Sequence, residues 1–475
     1  MKVAIVGSGP GGMTTAKVLT DAGAHVSMFE RGNYEPQTGA IAPYSVMEME
    51  RRYRDQGITV ALGKPKVTYA EGSCLGGGSE VNAGLYHRTP EYALEAWRKD
   101  WGMHELTQAA LLPHFEACER AVNVCRMPFP APAASLKLVE GAAKLGWQCI
   151  EAPRWYRYIS AVDRGIHSGV RQSMTETVLP TIARDRIDVR TGVSVERIVE
   201  HSGSKVSLLV SKDAGVLQES ERFDAVFICA GAIGTPWLLK KSSLGPSQVG
   251  RNLRLHSSMK LTARFADIVN GPDAGIPVHQ VKQFAPDYSF GGSISNLPFM
   301  ATGLADNGFN PLDLARDWHR HAVYYAMIAA GEGSVGVYPG LDRPIVRFKV
   351  SDRGMALLSL ALRNLARLLF AAGAQCLYPS IRGSDALMSE SDIQRLPGSI
   401  DRNAASVMTI HMTGTCPMGE SPRACVDATG KLKGARSVYV ADASIVPTAL
   451  GVNPQGTIMA LTRYNATRFV AGRQQ

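Results

Sequence analysis

The chain opens on an apolar run, Lys2-Val3-Ala4-Ile5-Val6-Gly7, that ends in a glycine cluster, Gly7-Ser8-Gly9-Pro10-Gly11-Gly12. Met13 to Ala22 reads as a helix closed by Gly23, and His25 to Phe29 as a second strand ending at Glu30. The pattern predicts strand, helix and strand within about 30 residues, the unit of a parallel sheet. Between 186 and 231 the segments IDVRTGVSVERIVE, KVSLLV and FDAVFICAG read as strands, and Ile233-Gly234-Thr235-Pro236 opens a helix with Pro in its first turn. Residues 257–350 carry strand-like runs at Met259–Phe265, Ala322–Ala329, Ser334–Tyr338 and Ile345–Val350, joined by Gly/Pro turns without helices between neighbours. The last three read as an antiparallel meander, hence a second domain inserted before the first resumes. A strand, SVYVADASIVP, and a helix over roughly 456–471 close the chain.

Residues 354–373, GMALLSLALRNLARLLFAAG, are apolar enough to invite a membrane reading. Arg363 and Arg367 interrupt the run and stack with Ser359 at four-residue spacing, which predicts an amphipathic core helix with one polar stripe. No transmembrane segment is therefore expected.

Chemistry enters at the first glycine cluster. Gly7 permits a tight turn, Gly9 lets backbone approach a pyrophosphate, and Gly12 lets helix and strand pack closely. The helix N-terminus offers free N–H groups to phosphate. Glu30 can accept hydrogen bonds from both hydroxyls of an adenosine ribose and would repel a 2′-phosphate, so FAD or NAD fits and NADP does not. A second cluster, Gly76-Gly77-Gly78-Ser79, is followed by Asn82, and Ala230-Gly231 ends a strand where a cofactor could approach closely.

Composition changes this picture little. Of the 475 residues, 51 are basic and 42 acidic, a net charge of +9 without a long basic run, so no nucleic-acid partner is expected. The eight Cys are scattered without a CxxC pair, which predicts free thiols in a reducing compartment and no metal site. The apolar run at the N-terminus is too short for a signal-peptide core, so a cytoplasmic protein is expected.

The same segments, taken in order, resemble the glucose–methanol–choline (GMC) oxidoreductases. The likeness runs through the first fingerprint, GGGSEVN at 76–82, RQSMTETVLP at 171–180, AGAIGTP at 230–236, VGRNLRLH at 249–256, HMTGTCPMG at 411–419 and VADASIVPTALGVNP at 440–454. The GVNP ending and the GGGSEVN form look most like the long-chain alcohol oxidase and cholesterol oxidase branch. The resemblance implies an α/β chain: a Rossmann-like FAD-binding domain from 1–90, 155–256 and 405–475, and a substrate domain on an antiparallel sheet from 91–154 and 257–404. It implies FAD, with Gly7, Gly9, Gly12 and Glu30 on the ADP half and Val195 meeting adenine. Gly77, Gly78, Ser79 and Asn82 would lie along the flavin side, with Ala230 and Gly231 nearby. Asp442 and Ala443 would stand by the pyrophosphate and ribityl chain, and Asn453, Pro454 and Thr457 by the isoalloxazine. Val81 stands where some members carry the His that attaches flavin covalently, so FAD is expected to be non-covalent.

The resemblance makes His411 the base that takes a hydroxyl proton and Asn453 the donor that steadies the alcohol oxygen, while hydride passes to flavin N5. His87, off the motif, reads as a surface or packing residue, and His256 as structural. The expected substrate is a primary or secondary alcohol, with LPFMATG and AVYYAMIAA giving the pocket roof an apolar character. A sugar or aminosugar hydroxyl, a non-redox lyase or decarboxylase, and a flavin-binding protein without turnover are the alternatives. The electron acceptor is left open among oxygen, a quinone and a carrier protein. An NAD-linked reductase would need a second GxGxxG, and AGAIGTP lacks its spacing.

Overall fold

A computed structural model describes residues 1–37, 41–158, 169–212, 215–271 and 274–474. Its first sheet is parallel and five-stranded, in the order Val438–Val440, Ala225–Ile228, Lys2–Val6, His25–Phe29 and Ile187–Arg190. Helices cover it, so its inner strands are apolar at consecutive positions: Val3, Ala4, Ile5 and Ala225 to Ile228 are all buried. Helix Pro10–Asp21 springs from the first strand through the glycine cluster and packs against the closing helix, Gln455–Gln474. It begins three residues before the apolar pattern does, because Pro10 sits in its first turn, where a missing N–H costs nothing.

The second sheet has nine strands, mostly antiparallel, around Ser257–Phe265, which pairs with His321–Ile328 and Ala374–Pro379. Beyond His321–Ile328 come Tyr288–Gly292, His279–Val281 and Cys149–Glu151. Alternation along these strands sorts the side chains. Met259, Leu261, Ala263, Tyr324, Ala326, Phe290 and Val281 share one core with helix Asp352–Ala371. Ser258, Lys260, Tyr325, Ser289 and Gln280 occupy the opposite face by the same register.

The mixed α/β architecture is the expected one, with differences in detail. The meander does not form: Glu332–Gly336 and Ile345–Lys349 pair with each other as a separate two-stranded sheet, while His321–Ile328 joins the large sheet. The expected boundaries also shift. Thr59–Ala61, Val67–Tyr69 and Val407–Thr409 enter the second sheet rather than the nucleotide lobe. Conversely, helices Glu91–Trp101 and Gln108–Ala121 bury Leu94, Trp97, Leu111 and Phe115 in the core of the first. Pro236 lies inside helix Gly231–Lys241 rather than in its first turn, and Thr415 Oγ1 donates to Ala232 O, the carbonyl that proline cannot satisfy (2.6 Å).

Helix Asp352–Ala371 is long and apolar enough to cross a membrane, and 61% of that stretch is buried inside the protein. Its polar stripe is narrower than expected: Ser359 is buried and donates to Pro397 O, Asn364 donates to Tyr288 OH (2.7 Å), and Arg367 faces out.

Candidate active site

A cavity of about 360 Å³ runs along the C-terminal ends of the parallel strands, where open α/β sheets bind ligands. Gly7 to Gly11 form one wall, Gly77, Gly78, Val81 and Asn82 a second, and Cys229 to Ala232 a third. Residues 410–412 and 453–455 close one end, and Phe29 to Arg31 with Val193 to Val195 the other. The fit to a dinucleotide can be tested on the glycines. A Cβ at Gly12 would stand 2.0 Å from Gly7 O, so this glycine serves helix–strand packing. A Cβ at Gly9 or Gly78 would meet nothing within 4 Å; these two face open space. A Cβ at Gly77 would come within 2.9 Å of Gly9 Cα, so the two glycine loops are in contact and form one cradle.

Glu30 sits buried at the adenosine end. One oxygen accepts from Ser8 N (3.0 Å) and Ser8 Oγ (2.6 Å), the other from Gly32 N (2.9 Å), which leaves lone pairs for ribose hydroxyls. Burial raises its pKa, and these donors oppose the rise. Asp442 lines the cavity, but its carboxylate is engaged by Gly231 N (2.8 Å), Thr235 Oγ1, Ser444 N and Ser444 Oγ. It therefore ties two walls together and presents backbone, with Ala443, to the interior. Ser79 and Thr457 lie behind the wall: Ser79 Oγ donates to Gly76 O (2.7 Å) and Thr457 Oγ1 bonds Thr89 Oγ1 (2.9 Å). Asn82 Nδ2 donates to Gln455 Oε1 (2.6 Å), joining the second glycine loop to the start of the last helix. Val195, Ala230, Gly231 and Pro454 all line the cavity.

At the far end, His411 and Asn453, 42 residues apart, come together with Nε2 and Nδ2 at 3.4 Å. His411 Nδ1 lies 3.0 Å from His256 Nδ1, with the rings perpendicular. Gly451 N donates to His256 Nε2 (2.9 Å), so that nitrogen is an acceptor and the ring proton of His256 sits on Nδ1. It then donates to His411 Nδ1, and neutral His411 carries its own proton on Nε2. Two N–H donors, from His411 and Asn453, thus converge on the cavity with no acceptor between them, a place for an oxygen.

Sequence reasoning missed several neighbours. Gln280 donates to Asn453 Oδ1 and Tyr325 OH (both 3.3 Å) and pairs with His87 Nε2 (2.9 Å). Lys282 Nζ donates to Gly451 O (3.0 Å) and Ser289 Oγ (3.2 Å). His87, expected at the surface or in packing, belongs to this network. Burial, then the Lys282 charge, pushes both His87 and His411 down to about 3, so both are neutral at pH 7. Burial, then His411 and Lys282, keeps His256 well below the usual range. The expected apolar roof divides: Tyr324 and Ala326 are core, Tyr325 reaches Gln280, and Met300 and Leu304 of helix Leu297–Leu304 form a small separate core with Val323. Among the described residues no group of His, Cys, Asp or Glu is arranged to hold a metal ion.

A glycine-walled cavity at the carboxyl ends of a parallel sheet, closed by a His–Asn pair, is the setting of a dinucleotide-dependent oxidoreductase. The GMC oxidoreductase sequence profiles match residues 49–258 and 339–462, and an FAD-binding-domain profile matches residues 1–62. The chain is 35% identical to an uncharacterised GMC-type oxidoreductase of Sinorhizobium fredii, over 96% of this chain and 92% of that one. It is 25% identical to a long-chain-alcohol oxidase of Arabidopsis thaliana, over 98% and 67%. Among solved structures it resembles pyridoxine 4-oxidase from Mesorbium loti (TM-score 0.75, 20% identity, 98% and 99% covered). It also resembles formate oxidase (TM-score 0.76, 16% identity, 99% and 98% covered). The chain belongs to the GMC oxidoreductase family and is an FAD enzyme.

Proposed function

We propose that this protein oxidises a primary or secondary alcohol, with His411 as the proton-accepting group. The observation that carries the reading is the convergence of His411 Nε2 and Asn453 Nδ2 on the cavity end. FAD, when bound, supplies the hydride acceptor. The alcohol oxygen sits between the two side chains, and Asn453 donates to it as negative charge develops. To take the proton, His411 must free Nε2, which requires its own hydrogen on Nδ1 and His256 turned from acceptor to donor at Gly451. The switch gives up the Gly451–His256 hydrogen bond and turns two buried N–H groups toward each other, at about 1–3 kcal/mol for each donor left unpaired. Low basicity in this dry site favours prompt return of the proton after turnover.

Val81 in the cavity wall supports non-covalent attachment, because it offers no nucleophile to the flavin. The eight free thiols are consistent with a reducing compartment such as the cytoplasm. Oxygen, a quinone or a carrier protein completes the cycle. The test is an anaerobic alcohol screen followed by flavin absorbance, and then admission of air. Alcohols should bleach the wild-type flavin, and His411→Ala should slow bleaching on the order of a hundredfold while keeping FAD bound. Near-normal bleaching in that variant removes His411 from the role. A flavin that stays oxidised with every alcohol points instead to a non-redox lyase or decarboxylase.

A further inference from the structure

The face of the second sheet turned toward His411 and Asn453 carries two lysines, and neither has an ion-pair partner among the described residues. Strand register puts them there. Gln280 and Lys282 leave their strand on the side that touches Asn453 and Gly451. Tyr325 extends the same row from the strand His321–Ile328, and Lys260 is its direct partner on Ser257–Phe265. Tyr325 leans away from Lys260: its OH reaches over Gly291, within 2.4 Å of where a Cβ would stand, to meet Gln280.

The two lysines are not equivalent. Lys282 spends two hydrogens on Gly451 O and Ser289 Oγ and so braces the loop that carries Asn453. Lys260 Nζ lies over the Phe299 ring, 5.4 Å from its centre, and has no hydrogen-bond acceptor among the described residues, though part of the side chain stays exposed. Burial alone pulls its amine down to about 8, and no neighbouring charge offsets it. An ammonium held in this way is costly unless a counter-ion arrives. A plain alkyl chain would leave it unpaired, and an aminosugar would add like charge.

We propose that the alcohol taken by this site carries a carboxylate that binds Lys260, with the reactive hydroxyl at the other end, between His411 and Asn453. The proposal rests on the alcohol reading and narrows it. Lys260 and Gln280 stand three strands apart, about 14 Å between backbones, and a hydrogen bond of about 3 Å at each end leaves roughly 8–10 Å for the ligand itself. That is the length of an ω-hydroxy acid of about eight carbons. A single ammonium at that end, with Lys282 held at the other by Gly451 O and Ser289 Oγ, suits a monoanion better than a phosphate dianion.

The FAD-loaded enzyme is titrated with octanoate and with octanamide, and binding is followed by the absorbance of the oxidised flavin, so no turnover is needed. Octanoate should bind at least tenfold more tightly, and Lys260→Met should bring the two within twofold. The same variant should melt at a higher temperature, because an unpaired buried charge is replaced by an apolar chain of similar shape. Equal binding in the wild type, or a carboxylate advantage that survives Lys260→Met, overturns the proposal. Anaerobic bleaching by 8-hydroxyoctanoate and by 1,8-octanediol then separates the two readings. Bleaching by the diol at an equal or lower half-saturating concentration sinks the carboxylate and leaves alcohol oxidation standing. Bleaching by neither sinks both.

Discussion

Two glycines three residues apart make a controlled comparison between packing and cofactor binding. At Gly12 an added methyl would stand 2.0 Å from Gly7 O and 3.2 Å from Cys229 Cβ. The first is backbone and cannot swing aside, so helix Pro10–Asp21 must lift from the sheet. That is overpacking at the centre of a core, about 3 kcal/mol or more. At Gly9 the methyl meets nothing within 4 Å, and the backbone (φ −61, ψ −177) suits any residue. Gly9→Ala should leave the FAD-free protein as stable or up to about 1 kcal/mol more stable, by restricting the unfolded chain. Its methyl points into the space that the pyrophosphate needs, and about 1–3 kcal/mol of steric cost there weakens FAD roughly tenfold to a hundredfold. Thermal melts of the stripped proteins and fluorescence titration with FAD give both quantities. Gly12→Ala should lower Tm sharply; Gly9→Ala should keep Tm and lose affinity. Wild-type FAD affinity in Gly9→Ala would refute the cradle, and an unchanged Tm in Gly12→Ala would refute the packing role.

Asn453→Ala should retain FAD and slow anaerobic flavin reduction about tenfold to a hundredfold by stopped-flow, because the donor that steadies the charge developing on the alcohol oxygen is gone. Glu48 and Arg52 form a buried ion pair at 2.9 Å, with side chains 0% and 1% exposed, so Glu48→Ala should cost about 3–5 kcal/mol in urea unfolding by stranding the guanidinium. His87 and His411 titrate near pH 3 when folded and near 6.5 when unfolded, so the stability they lend is complete above pH 6.5 and falls away as pH drops toward 3. Tm measured across that window should fall, and His87→Gln should shallow the slope. Acid precipitation of the wild type should release all flavin into the supernatant; a yellow pellet would point to a covalent link.

The nucleotide lobe was legible because its signals are local. Gly7, Gly9, Gly12 and Glu30 fall within one strand–helix–strand unit, and the residues between them fix their geometry. His411 and Asn453 were found through long motif contexts, since nothing in a spacing of 42 residues says that two side chains meet. The histidine partners were not legible. His256 and His87 reach the site through pairings with residues 155 and 193 positions away. The polar sheet face did leave a trace: Ser258, Lys260, Thr262 and Arg264 alternate with Met259, Leu261, Ala263 and Phe265, the signature of a strand with one polar face. What that trace lacked was the identity of the surface it would oppose. Thr59–Ala61 and Val67–Tyr69 join the second sheet without a signal in the sequence, because three-residue strands carry too little pattern to choose a sheet.

The contact between Gly9 and Gly77, with walls added by residues 193–195, 229–232, 442–443 and 453–455, has a consequence for biosynthesis. No partial product ending before the middle four hundreds owns a complete seat for the vitamin-derived group. Loading therefore waits until the chain has been made through residue 455. A cell short of riboflavin would then accumulate chains whose seat is built but empty.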